Sequence, residues 1–201
     1  MNLQKLFELQ RRLDEHIEKE HPRQEGEDRL AKKILALMVE LGELANEARF
    51  FKYWSHDQEP RIVVREWKLY EDTIKEYGDS THRRYEGVVR PVLRQPLLEE
   101  FADCLHFLLS IGNDINMNEV YEDSVPEPLR CDDIIEQFMD VNDWINYFYR
   151  NRHEDVNGEI YDLIFANFLG LGEMLGFTWE QIEEAYLRKN AINHKRMESG
   201  Y

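Results

Sequence analysis

Two stripes share one stretch of this chain. Leu37, Met38, Leu41, Leu44, Ala45, Ala48 and Phe51 recur with the three-and-four spacing that gathers side chains on one face of an α-helix. Glu40, Glu43 and Glu47 recur with the same spacing on another face. A strand would scatter both sets over its two sides, so the stretch predicts a helix with one buried face. The carboxylates are the sharper constraint. Like charges one turn apart repel by about 0.2–0.5 kcal/mol per pair. Solvent can relieve that repulsion, and so can a positive partner. Carboxylate oxygens suit a hard divalent cation such as Mg²⁺.

The same pattern returns from Leu97 to Leu109. Phe101, Leu105, Leu108 and Leu109 form an apolar face, and Glu100 and Asp103, three apart, point together. Packed against one another, the two helices would make a cage of four carboxylates, Glu40, Glu43, Glu100 and Asp103. Such a cage suits two or more Mg²⁺ ions facing a polyphosphate. The opposing reading is that these acids line solvated helix faces, as charge runs usually do.

Around these two helices the chain reads as further helices. Residues 2–20 carry Leu3, Leu6, Phe7, Gln10, Leu13 and Ile17 at helical spacing. Gln10 is polar on that inward stripe and needs a partner, either the edge of a base or a neighbouring group. The acid-bearing helix is expected from about Asp28 to Trp54, ending in the aromatic run Phe50-Phe51-Lys52-Tyr53-Trp54. That run is either core or a flat pocket in which Trp54 meets a base and Lys52 a phosphate. Residues 56–95 break the pattern. Ile62-Val63-Val64 favours a strand, Trp67, Leu69, Tyr70, Ile74 and Tyr77 fit a short amphipathic helix, and Gly78-Asp79-Ser80 a turn. With too few apolar residues for a core of its own, this is an excursion inserted in a single domain spanning 1–201. Helices are then expected over about Leu97–Met117, Asp132–Tyr149 and Asp155–Leu175, with an acidic, proline-bearing loop from Glu122 to Pro128 and a stop at Gly176.

The last helix opens on Thr178-Trp179-Glu180-Gln181, a capping box. Further along, Tyr186, Lys189, Asn193 and Arg196 share a face. A lysine, an amide and an arginine together suit a phosphate chain. The plainer reading is cations placed at a helix C-terminus by its dipole. His106, three residues after Asp103, reads as a core histidine.

The formal charge of −16 argues against nucleic acid or an anionic membrane as a partner. Two cysteines, Cys104 and Cys131, suggest neither a disulfide framework nor a zinc site. No apolar run reaches membrane-spanning length and the first residues carry no signal-peptide pattern, so a cytoplasmic protein is expected.

Taken together, these motifs resemble the dimeric, all-α dUTPases, within the MazG-like group of nucleoside triphosphate pyrophosphohydrolases. The resemblance rests on Glu40 to Glu47 with Phe51-Lys52-Tyr53-Trp54, on Glu100-Phe101-Ala102-Asp103 with Leu105-His106-Phe107, and on Lys189-Asn190-Ala191-Ile192-Asn193 through Arg196 to Gly200-Tyr201. Gln10 carries it more weakly. It implies an all-α bundle and a homodimer whose sites draw on both subunits. Glu40, Glu43, Glu100 and Asp103 would hold Mg²⁺ ions against a deoxynucleoside triphosphate, with Glu40 or Glu43 orienting the water that attacks the α-phosphorus of dUTP. Lys189, Asn193 and Arg196 would bind phosphate, and Gln10, Trp54 and Phe107 the uracil. The sequence departs from the pattern twice. The stretch between Glu43 and Glu100 is long for the family, and Asp14 stands one turn after Gln10 where an asparagine is expected. Two rival readings are a pyrophosphohydrolase of the same group acting on another nucleotide, such as dCTP, and a non-catalytic helical interaction protein.

Overall fold

The computed structural model describes residues 2–78, 83–121 and 125–199, and for 70–78 and 83–86 the backbone alone. Asp79 and Ser80 of the expected turn, Glu122 of the acidic loop, and Gly200-Tyr201 lie outside the described residues. Helix α1 spans Leu3–Glu20, with the Asn2 side chain accepting from the Lys5 backbone N–H. Helix α2 spans Arg29–Ala48 and is capped by Asp28, which accepts from the Ala31 N–H. The other Asp28 oxygen holds the Arg152 guanidinium at 2.9 Å, tying this cap to a distant part of the chain.

The buried positions of α2 are Ile34, Leu37, Leu41, Leu44 and Ala48, close to the expected stripe. The helix does not reach Trp54. Arg49 adopts a left-handed φ of 67° and ends it. The buried Arg49 guanidinium donates to the Asp57 carbonyl at 3.0 and 2.6 Å, so those bonds fix the reversal that a glycine more often makes. Phe50, Phe51, Tyr53 and Trp54 consequently follow the helix in a loop and are exposed, not core.

Residues 64–94 form an antiparallel ribbon of β1 (Val64–Gly78) and β2 (Arg83–Arg94). Val64 pairs with Arg94 and Tyr70 with Val88, and the register shifts between Tyr70 and Lys75. The amphipathic helix expected over Trp67–Tyr77 is therefore replaced by strand. Trp67 and Leu69 alternate with Glu66 and Lys68, a period of two, and face a second run rich in valine. Pro91, opposite Trp67, is tolerated because a two-stranded ribbon consists only of edges.

Helix α3 (Pro96–Asp114) is the centre of the body. It is buried on nearly every face and packs against α2, α1 and α7 (Trp179–Glu198). A short helix, α4 (Met117–Val120), takes what was expected as the end of α3. Asn116, at φ 62°, breaks the run. Helices α5 (Ile134–Asn151) and α6 (Asn157–Met174) pair with one another, and α5 also meets α2. Phe101 of α3 stacks on Phe168 of α6 at 4.2 Å between ring centres. Gly170 lets the chain cross α6 closely: the Leu129 N–H bonds the Ala166 carbonyl at 3.0 Å, and a Cβ at 170 would fall 1.8 Å from the Leu129 oxygen. The expected Thr178–Gln181 capping box and the stop at Gly176 (φ 80°) are both present. The fold is all-α in its body, with a β-ribbon between α2 and α3. No single helix among the described residues is long and apolar enough to cross a membrane.

Candidate metal and phosphate site

Packing α2 against α3 brings Glu40 beside Glu100 and Asp103. One oxygen from each lies within 4.8 Å of the others. The Lys189 ammonium, from α7, pairs with Asp103. Three carboxylates thus face one another, with Lys189 paired to Asp103 and the charge of Arg196 also acting on it. Glu43 projects from the next turn of α2 and is exposed, yet its charge reaches both Glu40 and Glu100. Glu47, the last acid of the stripe, is held by Arg61 at 3.3 Å. The stripe therefore has a neutralised end and an unbalanced end.

The imbalance shows in proton affinity. Burial, then the charges of Asp103, Glu43 and Glu40, pushes Glu100 up to about 7. Burial and the neighbouring Asp103 and Glu43 raise Glu40. Burial also raises Asp103, with Lys189 pulling the other way. A divalent cation bound there would favour the ionised form of each group and oppose these shifts. The donor set consists of hard carboxylate oxygens without thiolate or imidazole, which fits Mg²⁺ better than a softer metal.

Lys189, which pairs with Asp103, also borders a cavity of about 640 Å³. Arg196, on the same helix, lines it, as do Arg188, Arg94 and Glu99. Arg196 also lowers Asp103 through its charge. Asn193 is half-buried one turn beyond Lys189. Arg94, Arg188 and Glu99 were not among the residues expected from sequence. Arg188 carries a signal in hindsight, since it precedes Lys189 on α7, but Arg94 belongs to the ribbon, whose course the sequence left open.

The three residues expected at the base occupy different settings. Gln10 is 3% exposed. Its Nε2 donates to Asp14 at 2.9 Å, and its Oε1 meets His106 Nδ1 at 2.7 Å and the Tyr186 hydroxyl at 3.0 Å. Ser110 donates to the other Asp14 oxygen at 2.9 Å. Trp54 is 66% exposed and meets Phe51 and Tyr53 edge-on. Phe107 is half-buried against the core. Lys52 turns back onto the Asn46 carbonyl at 3.1 Å.

Two polar atoms stand out beside Tyr186. His106 Nε2 and Asn190 Nδ2 are buried with no hydrogen-bond partner among the described residues. His106 stacks on Tyr186 with ring centres 4.1 Å apart, and Asn190 lies one turn further along α7. Because Gln10 uses its Nε2 on Asp14, its Oε1 is an acceptor. His106 Nδ1 therefore carries the proton and Nε2 is left as an acceptor. Burial and the nearby Lys189 push His106 down to about 3, so the ring is neutral. Buried polar groups are seldom left without partners. Asn190 belongs to the Lys189–Asn193 motif but sits off the Lys189–Asn193–Arg196 face, and no role is expected for it from sequence.

A family model described as dUTPase matches residues 2–82 and 89–201. No curated protein matches the chain.

Proposed function

The chain belongs to the dUTPase family, whose members are hydrolases acting on nucleotides, and from that premise we propose that it hydrolyses dUTP to dUMP and pyrophosphate. The observation that carries the reading is the unbalanced cluster of Glu40, Glu100 and Asp103, with Lys189 at its edge and a basic cavity beyond. Glu40, Glu100 and Asp103, with Glu43 at the rim, would hold Mg²⁺. When bound, such an ion supplies Lewis acidity at the phosphoryl oxygens and lowers the pKa of water.

The protein's own groups do the rest. Glu40 or Glu43 accepts the proton of the attacking water. The raised proton affinity of Glu40 suits that role. Attack at the α-phosphorus breaks the bond to the β-phosphate, and pyrophosphate leaves with the electron pair of that bond. Lys189, Asn193 and Arg196 neutralise and position the phosphate chain. Removing three or four phosphate charges from water without such partners would be prohibitive.

For the base, His106 Nε2 offers an acceptor and Asn190 Nδ2 a donor. Uracil presents an N–H flanked by carbonyl oxygens, the complementary edge. In this reading Gln10 serves the base through His106, by fixing its tautomer, and Trp54 and Phe107 contribute apolar surface. The protein acts as a homodimer. Exposed Leu35 and Val39 on α2, and Ile135 and Met139 on α5, supply apolar surface for a second copy.

The test is pyrophosphate release from a panel of nucleoside triphosphates and diphosphates, with and without Mg²⁺. Mg²⁺-dependent turnover of dUTP above dCTP and dTTP is expected. Preference for dCTP would keep the acid cluster and overturn the base assignment. No turnover of any nucleotide by folded protein with Mg²⁺ present would favour an interaction protein.

A further inference from the structure

The foot of the β-ribbon is built into the site. The Arg61 N–H bonds the Glu47 carbonyl at 3.0 Å, and the Arg61 carbonyl accepts from the Leu97 N–H at 3.2 Å. One residue thus ties the end of α2 to the start of α3, the two helices that carry the acids. At the other side of the foot, β2 ends at Arg94, two residues before α3 begins. Arg94 Nε donates to Glu99 at 3.1 Å, and its Nη2 bonds the same oxygen. Its Nη1 reaches Glu66 across the ribbon at 3.1 Å. Arg94 nevertheless keeps 41% of its side chain exposed, and it lines the same cavity as Lys189 and Arg196.

Two features set Arg94 apart from a surface ion pair. First, Glu99 is the residue before Glu100 and lies within electrostatic reach of both Lys189 and Asp103. Its carboxylate lines the cavity, next in sequence to a member of the acid cluster. Arg94 meets Glu99 through two of its nitrogens and Glu66 through the third. Secondly, a carboxylate and a phosphate present the same two-oxygen edge to a guanidinium. An anionic chain laid in the cavity would compete with Glu99 for Arg94.

We infer that Arg94, supplied by the ribbon, is a binding residue for the terminal phosphates of the nucleotide, held by Glu99 and Glu66 until a polyphosphate takes their place. The inference rests on the proposed function for the identity of the ligand. Its geometry, a basic cavity walled by the ribbon's foot, stands apart from the base. Arg94 would act at the end of the chain that leaves as pyrophosphate, whereas the acid cluster acts at its start. It also assigns a use to the ribbon, which closes one side of the phosphate channel.

The test is calorimetric binding of inorganic pyrophosphate, and separately of dUMP, in the presence of Mg²⁺. It compares the full chain with Arg94→Ala, Arg94→Lys and Glu99→Gln, each shown by circular dichroism to be folded. Arg94→Ala should weaken pyrophosphate binding about tenfold or more and Arg94→Lys by less, with dUMP binding unchanged. Glu99→Gln should move the other way and tighten pyrophosphate, because it removes the competitor. A merely structural Arg94–Glu99 pair predicts that both substitutions shift in the same direction and affect dUMP equally, which would overturn the inference. So would unchanged pyrophosphate affinity in Arg94→Ala, or no binding by the wild type. If the wild type binds pyrophosphate through Arg94 but hydrolyses no nucleotide, the proposed function fails and the phosphate site stands.

Discussion

The helical body and the ribbon that leaves it solve opposite problems. Helices α3 and α6 bury nearly every face, so each of their side chains has one place it can go. The ribbon leaves Trp67, Leu69, Val89 and Leu93 exposed, and holds together through its backbone ladder and the ion pairs at its foot. Charge divides the same way. At the foot, Arg61 and Arg94 each meet a carboxylate. Inside the body, three carboxylates share Lys189. The half-buried seam between α2 and α3 is thus where acids outnumber the cations that meet them. Packing forces acids together at a spot where solvent would never have gathered them.

The contrast can be broken most forcefully at the core. Phe101→Ala removes the ring stacked on Phe168 and should cost about 3–5 kcal/mol of unfolding free energy, read by urea denaturation. An effect below about 1 kcal/mol would mean that α3 and α6 are not locked together. Asp103→Asn should leave the fold intact and reduce Mg²⁺-dependent turnover by about a hundredfold or more. That outcome would separate a residue placed for chemistry from one placed for stability, although both sit on α3.

The acids themselves sharpen the comparison through pH. Glu100 titrates near 7 in the folded, metal-free protein and near the ordinary glutamate value when unfolded. Between those values the folded state holds more protons, so stability falls as pH rises through this window and the contribution is gone above about 7. Thermal melting of metal-free protein from pH 5 to 8 should show that fall, and saturating Mg²⁺ should reduce it. A flat profile in both conditions would contradict the close approach of the three carboxylates. At the smaller end, Thr178→Ala deletes the cap of α7 and should cost about 1 kcal/mol. Trp67→Ala on the ribbon should change stability by less than about 0.5 kcal/mol. A larger loss would show that the ribbon face is covered in solution.

These differences also mark what could be read from the sequence. Where a helix has one buried face, the period is visible: Leu37, Leu41 and Leu44 set the phase of α2, and that phase places Glu40 toward α3. Glu100 and Asp103 stand three apart on α3 and so share a side whatever that helix buries, and the Thr178 cap is a local motif. The end of α2 was not legible, because Arg49 reverses the chain through bonds to Asp57, a contact that local pattern does not encode. The ribbon was misread because alternation over Glu66–Leu69 is short, and its meaning depends on a partner strand some twenty residues later. Gln10 was correctly singled out as a polar residue on an inward stripe. Its partners, His106 and Tyr186, lie far away in sequence, so only the fold reveals that it holds a histidine. Asn190 stands in the C-terminal motif, but that its Nδ2 is buried without a partner among the described residues is visible only in the fold.

The central claim is that the acids of α2 and α3 are completed by a divalent cation. Titration of Mg²⁺ into metal-free protein at pH 8, followed by calorimetry, tests it directly in the wild type and in Glu40→Gln, Glu100→Gln and Asp103→Asn. Saturable binding in the wild type, weakened about tenfold or more in each folded variant, is the predicted result. Absence of binding in the wild type, or binding that all three substitutions leave unchanged, would contradict it.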